Sequence, residues 1–407
     1  MTHNKHIRRL VAFSVVFAFV FSSCSKKLPE ETLPPETSVT VAETTLETEA
    51  TEETTTVEET TPEPTKAPSH GPNSTAVVTD MPVPLNGQLS VKDTCIVNEA
   101  GEIVQLKGMS LYGINYTGKF FSKDTCQTLA EDWGCDVIRL AMYTIGSTSK
   151  AYIDEPDKYF QLMCDYIDLC VDQGVYCIVD WHILFDGDPM QYKEESIDFF
   201  SRISAIYADC PNVIYEICNE PNGKSLADES VDVGWDNCIR PYAVEVIEAI
   251  RANDPDNIII VGTPNWSQFA DDAAKDPIDD ENVMYTIHFY AGSHGEDVRS
   301  RMQSALDSGL ALFCTEWGTT FDNGGGTVDT ESSDEWLEWL DSNHISWCNW
   351  SIGGSASESS NALRMGSDSF TPEEKYGGHW PDEFLTTSGY YVKCKLLDIP
   401  YEPEGDN

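Results

Sequence analysis

The sequence predicts an α/β fold: a single (β/α)8 TIM barrel with a small N-terminal β-hairpin, preceded by a disordered linker. Three observations carry this. Short, β-rich apolar runs alternate with longer amphipathic stretches from Ile103 onward. The runs are continuous rather than alternating in polarity, as strands buried on both faces are. Polar or aromatic residues close run after run, and a functional face ringed by strand ends needs that placement.

Taken in order, Leu89-Ser-Val and Cys95-Ile-Val, then the turn Asn98-Glu-Ala-Gly101 and Ile103-Val-Gln-Leu, read as a hairpin that leads into the first barrel strand and plugs the barrel bottom. That strand ends near Asn115. A helix around Thr125 to Trp133 follows, then a strand from Val137 to Leu140 and a helix from Pro156 to Gln173. Further strands run from Val175 to Val179, Val213 to Ile217, Ile258 to Val261, Val283 to Ile287, Ala311 to Cys314 and Ile345 to Asn349. Helical patterns separate most of them, around Ser196 to Tyr207, Trp235 to Asn253, Val298 to Asp307 and Ser333 to Asp341, and a last one lies near Thr387 to Leu397. Eight β/α repeats are the most economical count. An open doubly wound sheet is the alternative, but it would gather binding residues at one switch point instead of around a ring.

Composition changes sharply near residue 85. Lys5, Arg8 and Arg9 precede the apolar run Leu10 to Phe21 and then Ser22-Ser23-Cys24. Residues 1–23 therefore read as a signal peptide, too short to span a bilayer as a mature helix. The small residues before Cys24 resemble a bacterial lipoprotein cleavage box, so the expectation is a lipidated Cys24 on the outer cell surface, with plain secretion as the alternative. Residues 24–85 are rich in Thr, Glu and Pro with few aromatics, the composition of an extended, self-repelling linker. Residues 86–407 remain for the barrel.

The chain carries 25 basic and 69 acidic residues, a net charge of -44, which argues against nucleic acid and suits a neutral polymer as partner. Of 13 cysteines, Cys177, Cys218, Cys314 and Cys348 fall inside strand runs, where they read as small core side chains and mostly free thiols. No credible metal-ligand spacing or phosphate-cradling Gly loop occurs, so the expectation is a monomer that needs neither metal nor cofactor.

Glu220 closes Val213-Ile-Tyr-Glu-Ile-Cys-Asn-Glu220, and Glu316 closes Leu312-Phe-Cys-Thr-Glu316. Carboxylates at strand ends often only cap a helix or bind an Arg. Here Arg139, His182, His288, Tyr290 and Trp350 share the same placement, and two carboxylates facing one cleft are the apparatus of glycosidic-bond hydrolysis.

Val104-Gln-Leu-Lys-Gly-Met-Ser110, Ile178-Val-Asp-Trp-His-Ile183, Ile214-Tyr-Glu-Ile-Cys-Asn-Glu-Pro221, Val261-Gly-Thr-Pro-Asn-Trp-Ser267, Tyr285-Thr-Ile-His-Phe-Tyr290 and Thr315-Glu-Trp-Gly318 occur in that order. Through them the chain from about Leu89 to Leu397 resembles glycoside hydrolase family 5, and looks closest to the bacterial endoglucanases of its second subfamily. The resemblance implies retaining hydrolysis of β-1,4-glucan, with Glu220 as acid/base and Glu316 as nucleophile. It also implies that Arg139 holds Glu316, that Asn219 bonds the 2-hydroxyl at the cleavage site, that Tyr290 bonds the nucleophile and that His182 and His288 line the same subsite. Trp350 would stack at the cleavage subsite and Trp266 on the leaving-group side. Tyr112 and Tyr116 stand where the relatives carry His and a stacking Trp. After Trp350 their Asp-Lys pair is missing around Gly353-Gly-Ser355, and Glu358 recovers the pattern. These departures touch the far subsites. Trp133, Trp336 and Trp339 read as packing, and Gly324-Gly-Gly326 as a mobile loop. Two other functions stay open: a related hemicellulase acting on mannan, xyloglucan or mixed-linkage glucan, and a non-catalytic glucan-binding surface protein.

Overall fold

A computed structural model describes residues 81–117, 120–146, 150–353, 358–364 and 371–402. The signal peptide, Cys24, nearly all of the linker and the Gly354-Ser355 part of the altered loop lie outside the described residues. No described helix is long and apolar enough to cross a membrane.

Eight parallel strands close into a barrel: β4 (Lys107–Leu111), β5 (Val137–Tyr143), β6 (Tyr176–His182), β7 (Val213–Glu216), β8 (Ile259–Val261), β9 (Val283–Tyr290), β10 (Leu312–Gly318) and β11 (Trp347–Ile352). They follow one another around the ring in chain order, and β11 pairs back onto β4. Each helix packs on the outside, so every strand is buried on both faces, which is why the runs lack alternation. The helix Pro156–Gln173 shows how its ends are specified. Proline starts it, and Gly174 ends it at φ 71°, where a left-handed residue lets its N–H return to the last carbonyls.

β5, β6, β9, β10 and β11 each run three or four residues beyond the ends expected from the sequence, and three further elements differ more deeply. The N-terminal element is a three-stranded antiparallel sheet rather than a hairpin: β1 (Ser90–Lys92), β2 (Cys95–Val97) and β3 (Ile103–Val104). Asn98 Oδ1 accepts the N–H groups of Ala100 and Glu102, turning Ile103–Val104 back onto β2 before the barrel begins. The first barrel strand stops at Leu111 rather than near Asn115, because Asn115 bonds both backbone groups of Tyr143 with its amide (2.7 and 3.3 Å) and so caps β5. The stretch from Thr125 to Trp133 is helical in two parts, Lys123–Gln127 as α-helix and Thr128–Asp132 as π-helix, started by the Ser122 hydroxyl on Thr125 N–H (3.2 Å).

The barrel lumen is layered. Val137, Ile178, Ile214, Ile260, Met284, Phe313 and Cys348 form its apolar floor, and Leu89, just before β1, and Ile96 of β2 pack into the same cluster. The small sheet therefore plugs the bottom. Two residues further along β5, β6 and β7 the lumen holds Arg139, Asp180 and Glu216 instead, all fully buried. All twelve described cysteines are free thiols, and Cys177, Cys218, Cys314 and Cys348 are core side chains.

Truncating the plug tests this layering. Ile96→Ala should lower the unfolding free energy by about 2–5 kcal/mol, read as a lower urea midpoint, while kcat changes less than about twofold because the cavity opens far from the cleft.

Candidate active site

The site starts from one cation. Arg139 is wholly buried on β5, and all five of its N–H groups find acceptors. Nε and Nη2 bind the two oxygens of Glu216 (2.7 and 3.0 Å), Nη2 also bonds Asn219 Oδ1 (2.6 Å), and Nη1 reaches Glu316 Oε2 (3.0 Å) and Ser110 Oγ (3.4 Å). Asp180 Oδ2 lies 2.9 Å from Nη2 with no N–H left for it, and its Oδ1 has no partner. Asp180 is thus the carboxyl best placed to keep a proton. Burial pushes it up to about 8, the Glu316 charge adds to this, and Arg139 works against both.

Glu316 lies inside β10, not at its end. A register shift between Phe313 and Glu316 against β9 turns its side chain into the barrel mouth. Both of its oxygens act as acceptors, Oε2 from Arg139 and Oε1 from the Tyr290 hydroxyl (2.7 Å). A Cβ at Gly318 would run into the Tyr290 ring, so the glycine after Trp317 is what allows that approach.

Glu220 lies four residues beyond the end of β7. Its segment hangs on the extension of β6, through Asn219 N–H to the Trp181 carbonyl and Glu220 N–H to the Ile183 carbonyl (3.3 Å each). The Glu220 side chain is 12% exposed, and Oε1 meets His288 Nδ1 at 2.9 Å. His288 Nε2 meets Thr315 Oγ1 (2.9 Å), whose single proton goes to Glu216 Oε1 (2.7 Å). Thr315 must then accept from His288, so the imidazole carries its proton on Nε2 and presents a lone pair at Nδ1. Burial lowers His288 to about 4, which keeps the ring neutral and limits it to that one proton. Glu220 is left as the donor at Nδ1, that is, protonated. Burial also pushes Glu220 up to about 8, with Arg139 opposing and Asp180 and Glu216 adding to the rise.

One oxygen of Glu220 and one of Glu316 lie within 4.8 Å of each other, together with a nitrogen of His288. Both carboxyl groups face a cleft of about 550 Å³. His182, Trp266, His288, Tyr290, Trp350, Glu358 and Tyr112 line the same cleft. His182 Nδ1 sits 2.6 Å from Asp180 Oδ2, and its ring stacks on Trp350 (5.3 Å, 9°). The Tyr112 hydroxyl donates to Glu358 Oε1 (3.1 Å), and its ring meets Trp350 at 5.6 Å.

Three expected residues do not line the cleft, although Arg139 holds Glu316 as expected. Arg139 and Asn219 are fully buried under the cleft floor, and the Asn219 amide is engaged by Arg139 and by the Ile183 carbonyl (3.0 Å). Tyr116 packs edge-on against Tyr143 (5.3 Å) outside the lining, and Tyr143 takes the cleft position. Trp133 and Trp336 are core residues, and Trp339 bonds Gln303 on the neighbouring helix (2.8 Å). Gly324 lines the cleft within a turn bonded to Phe321 and Ser359.

Sequence reading passed over Asp180, Glu216 and Thr315, although acidic residues inside fully buried apolar strands are anomalous enough to flag. Phe185, His294, Asp322 and Asn323 also line the cleft, on loops that no periodicity marks.

A closed (β/α)8 barrel with paired carboxyl groups at its mouth defines a class, the barrel glycoside hydrolases. The family model of cellulases, glycosyl hydrolase family 5, matches residues 97–356. The chain belongs to that family. It is 44% identical over 306 residues to endoglucanase A of Evansella cellulosilytica, covering 75% of this chain and 59% of that protein. It is 42% identical over 310 residues to an endoglucanase of Clostridium saccharobutylicum, covering 76% of this chain and 65% of that protein. The chain thus spans about three fifths of the length of such curated relatives. Among solved structures, the catalytic domain of Thermobifida fusca endoglucanase Cel5A (E5) superposes with a TM-score of 0.69 at 34% identity, over 78% of this chain and 99% of that one. A variant of that domain has been solved with cellotetraose.

The hydrogen-bond polarity makes Thr315 the test of the proton assignment. Thr315→Val removes the acceptor that holds His288 in its Nε2–H form, so the basic limb of the pH profile of kcat/KM should move to lower pH. Thr315→Ser should restore it. An unmoved limb in the valine variant would contradict the assignment.

Proposed function

We propose that this chain is a retaining endo-β-1,4-glucanase acting on cellulose or related β-glucans. The carrying observation is the pair Glu220 and Glu316, with oxygens within 4.8 Å across one cleft. Retaining pairs stand about 5–5.5 Å apart and inverting pairs about 6.5–9.5 Å, the extra room being needed for a water. The endoglucanase names of the relatives support the substrate class.

Glu316 attacks the anomeric carbon from the floor of the cleft while Glu220 protonates the departing oxygen, and the glycosidic C–O bond breaks. A glycosyl ester on Glu316 results. Having given up its proton, Glu220 is now a carboxylate, and loss of the Glu316 charge favours that ionised form, in which it can act as the base. It then takes a proton from water, the hydroxide attacks the same carbon, and the ester bond breaks with the original configuration restored. Arg139 and the Tyr290 hydroxyl hold Glu316 aimed at the substrate and stabilise its charge.

Export to the cell surface with a lipid on Cys24 completes the reading, on the strength of the N-terminal pattern. A cysteine-free variant at this position (Cys24→Ala) should lose incorporation of labelled palmitate, and a wild-type protein that never incorporates it would leave plain secretion.

The reaction itself is checked by NMR of the first product formed from cello-oligosaccharides, which should be the β-anomer. Glu316→Gln should lose at least about 10³-fold in kcat. Glu220 must be protonated to act, so kcat/KM should fall as pH rises through about 8. Faster turnover of mannan or xyloglucan than of carboxymethylcellulose would instead establish the hemicellulase reading, and binding without turnover the non-catalytic one.

A further inference from the structure

Phe185 lines the cleft beside Glu220 with 66% of its surface exposed. A phenylalanine so placed adds little to the core, and what gives its exposure meaning is its place in the cleft on a braced loop. Leu184 N–H donates to Asp186 Oδ1 (2.9 Å), the Thr144 hydroxyl donates to Asp186 Oδ2 (2.5 Å), and the Asn222 amide donates to the Leu184 carbonyl (2.9 Å). Asn222 N–H donates to the Gly187 carbonyl (3.0 Å). Gly187 takes φ +60°, and a Cβ there would lie 2.8 Å from the Asn222 carbonyl oxygen. Hydrogen bonds thus fix the backbone on both sides of the exposed ring.

The position of that ring has chemical meaning. Ile183 and Leu184, just before Phe185, bond the backbone and side chain of the Glu220–Asn222 segment from the β6 flank. From the β8 flank, Trp266 N–H donates to the Pro221 carbonyl (3.2 Å). Trp266 is also half-exposed, and Asn265, Trp266 and Ser267 all take positive φ (58°, 55° and 57°), a conformation the chain adopts only under constraint. Two aromatic residues on constrained backbone therefore flank the very loop that carries the proton donor, one from each neighbouring strand.

We propose that Phe185 is a sugar platform on the leaving-group side, covering the apolar C–H face of a β-linked glucose unit beyond the scissile bond, so that the departing segment is gripped between Phe185 and Trp266. This rests on the glucanase function above and adds a residue to it. After the first step the same grip holds an acceptor. A hydroxyl of a glucose unit bound there attacks the anomeric carbon of the glycosyl ester, the bond to Glu316 Oε breaks, and the hydroxyl proton passes to Glu220. Sugar transfer then competes with hydrolysis.

The full chain is assayed on cellopentaose, whose leaving group is a sugar, and on cellobiosyl fluoride, whose leaving group is fluoride. In Phe185→Ala the ratio of kcat/KM for cellopentaose to that for cellobiosyl fluoride should fall about tenfold, and Phe185→Tyr should restore it. With cellobiose added as acceptor, the transfer-to-hydrolysis ratio should fall in parallel. An unchanged ratio, or equal losses on both substrates, overturns the proposal and leaves Phe185 a loop residue. A wild-type protein that cleaves no β-1,4-glucan overturns the glucanase reading itself, whereas wild-type cleavage with an unchanged variant ratio overturns only the role of Phe185.

Discussion

Everything at the mouth of this barrel depends on one buried guanidinium. Arg139 sits among Asp180, Glu216 and Glu316 with no exposure to water. Desolvating such charges costs several kcal/mol per ion, and only well-formed hydrogen bonds offset it. The planar fork of Arg supplies them where Lys could not: the edge that grips Glu216 bidentately fixes the plane, and the fixed plane decides where Nη1 meets Glu316. The strands that carry these groups, β4, β5, β6, β7 and β10, must therefore be in register before the Glu316 carboxylate is aimed. Asp180 is paired directly with Glu216 across β6 and β7, and Ser110 with Arg139 across β4 and β5.

The same parity runs upward through the lumen. Along β5 the inward residues pass from Val137 through Arg139 to Tyr143, and along β6 from Ile178 through Asp180 to His182. Moving up each strand, by two residues at a time on β6 and with Ala141 intervening on β5, the chemistry changes from apolar filling to buried charge to cleft wall. The charged layer works against stability near neutral pH. Asp180 and Glu220 bind their protons more tightly folded than unfolded, so between about pH 4 and about pH 8 each of them lowers stability as pH rises. The apolar floor, sealed by Leu89 and Ile96, lies just beneath and offsets this with burial that does not titrate.

How much of this was legible follows from where each signal lives. The helix Pro156–Gln173 is a local pattern of hydrophobicity and capping, and the structure keeps it to the residue, whereas the strand read as Val283 to Ile287 starts as expected and runs on to Tyr290. The paired carboxylates were legible because an acid at the end of an apolar run is a local anomaly. Their true mounting was not: Glu220 stands on a loop beyond its strand, and Glu316 stands within its strand at a bulge. Both depend on pairing with the neighbouring strand. Asp180, Glu216 and Thr315 escaped because their meaning is relational; each is one residue in an apolar run until the barrel closes around Arg139. The Asn98 turn shows the converse, since the turn was read correctly while the partner of the strand after it was set by Ile96 and Val97 on β2.

The mounting of Glu220 carries a final consequence. A proton donor must keep its distance to the nucleophile while substrate enters and product leaves, and a free loop would let that distance drift. Here the donor loop is tied by backbone bonds to β6 on one side and to Trp266 on the other, and through His288 and Thr315 to the carboxylate that Arg139 fixes. Glu316 is tied to the same guanidinium by its other end of the network. The two reactive carboxyl groups are therefore linked through one network around Arg139, while the backbone of the Glu220 loop is held separately by β6 and Trp266. Their spacing is set by these separate attachments, while their different protonation follows from the partners each meets: a lone pair of His288 for Glu220, two donors for Glu316.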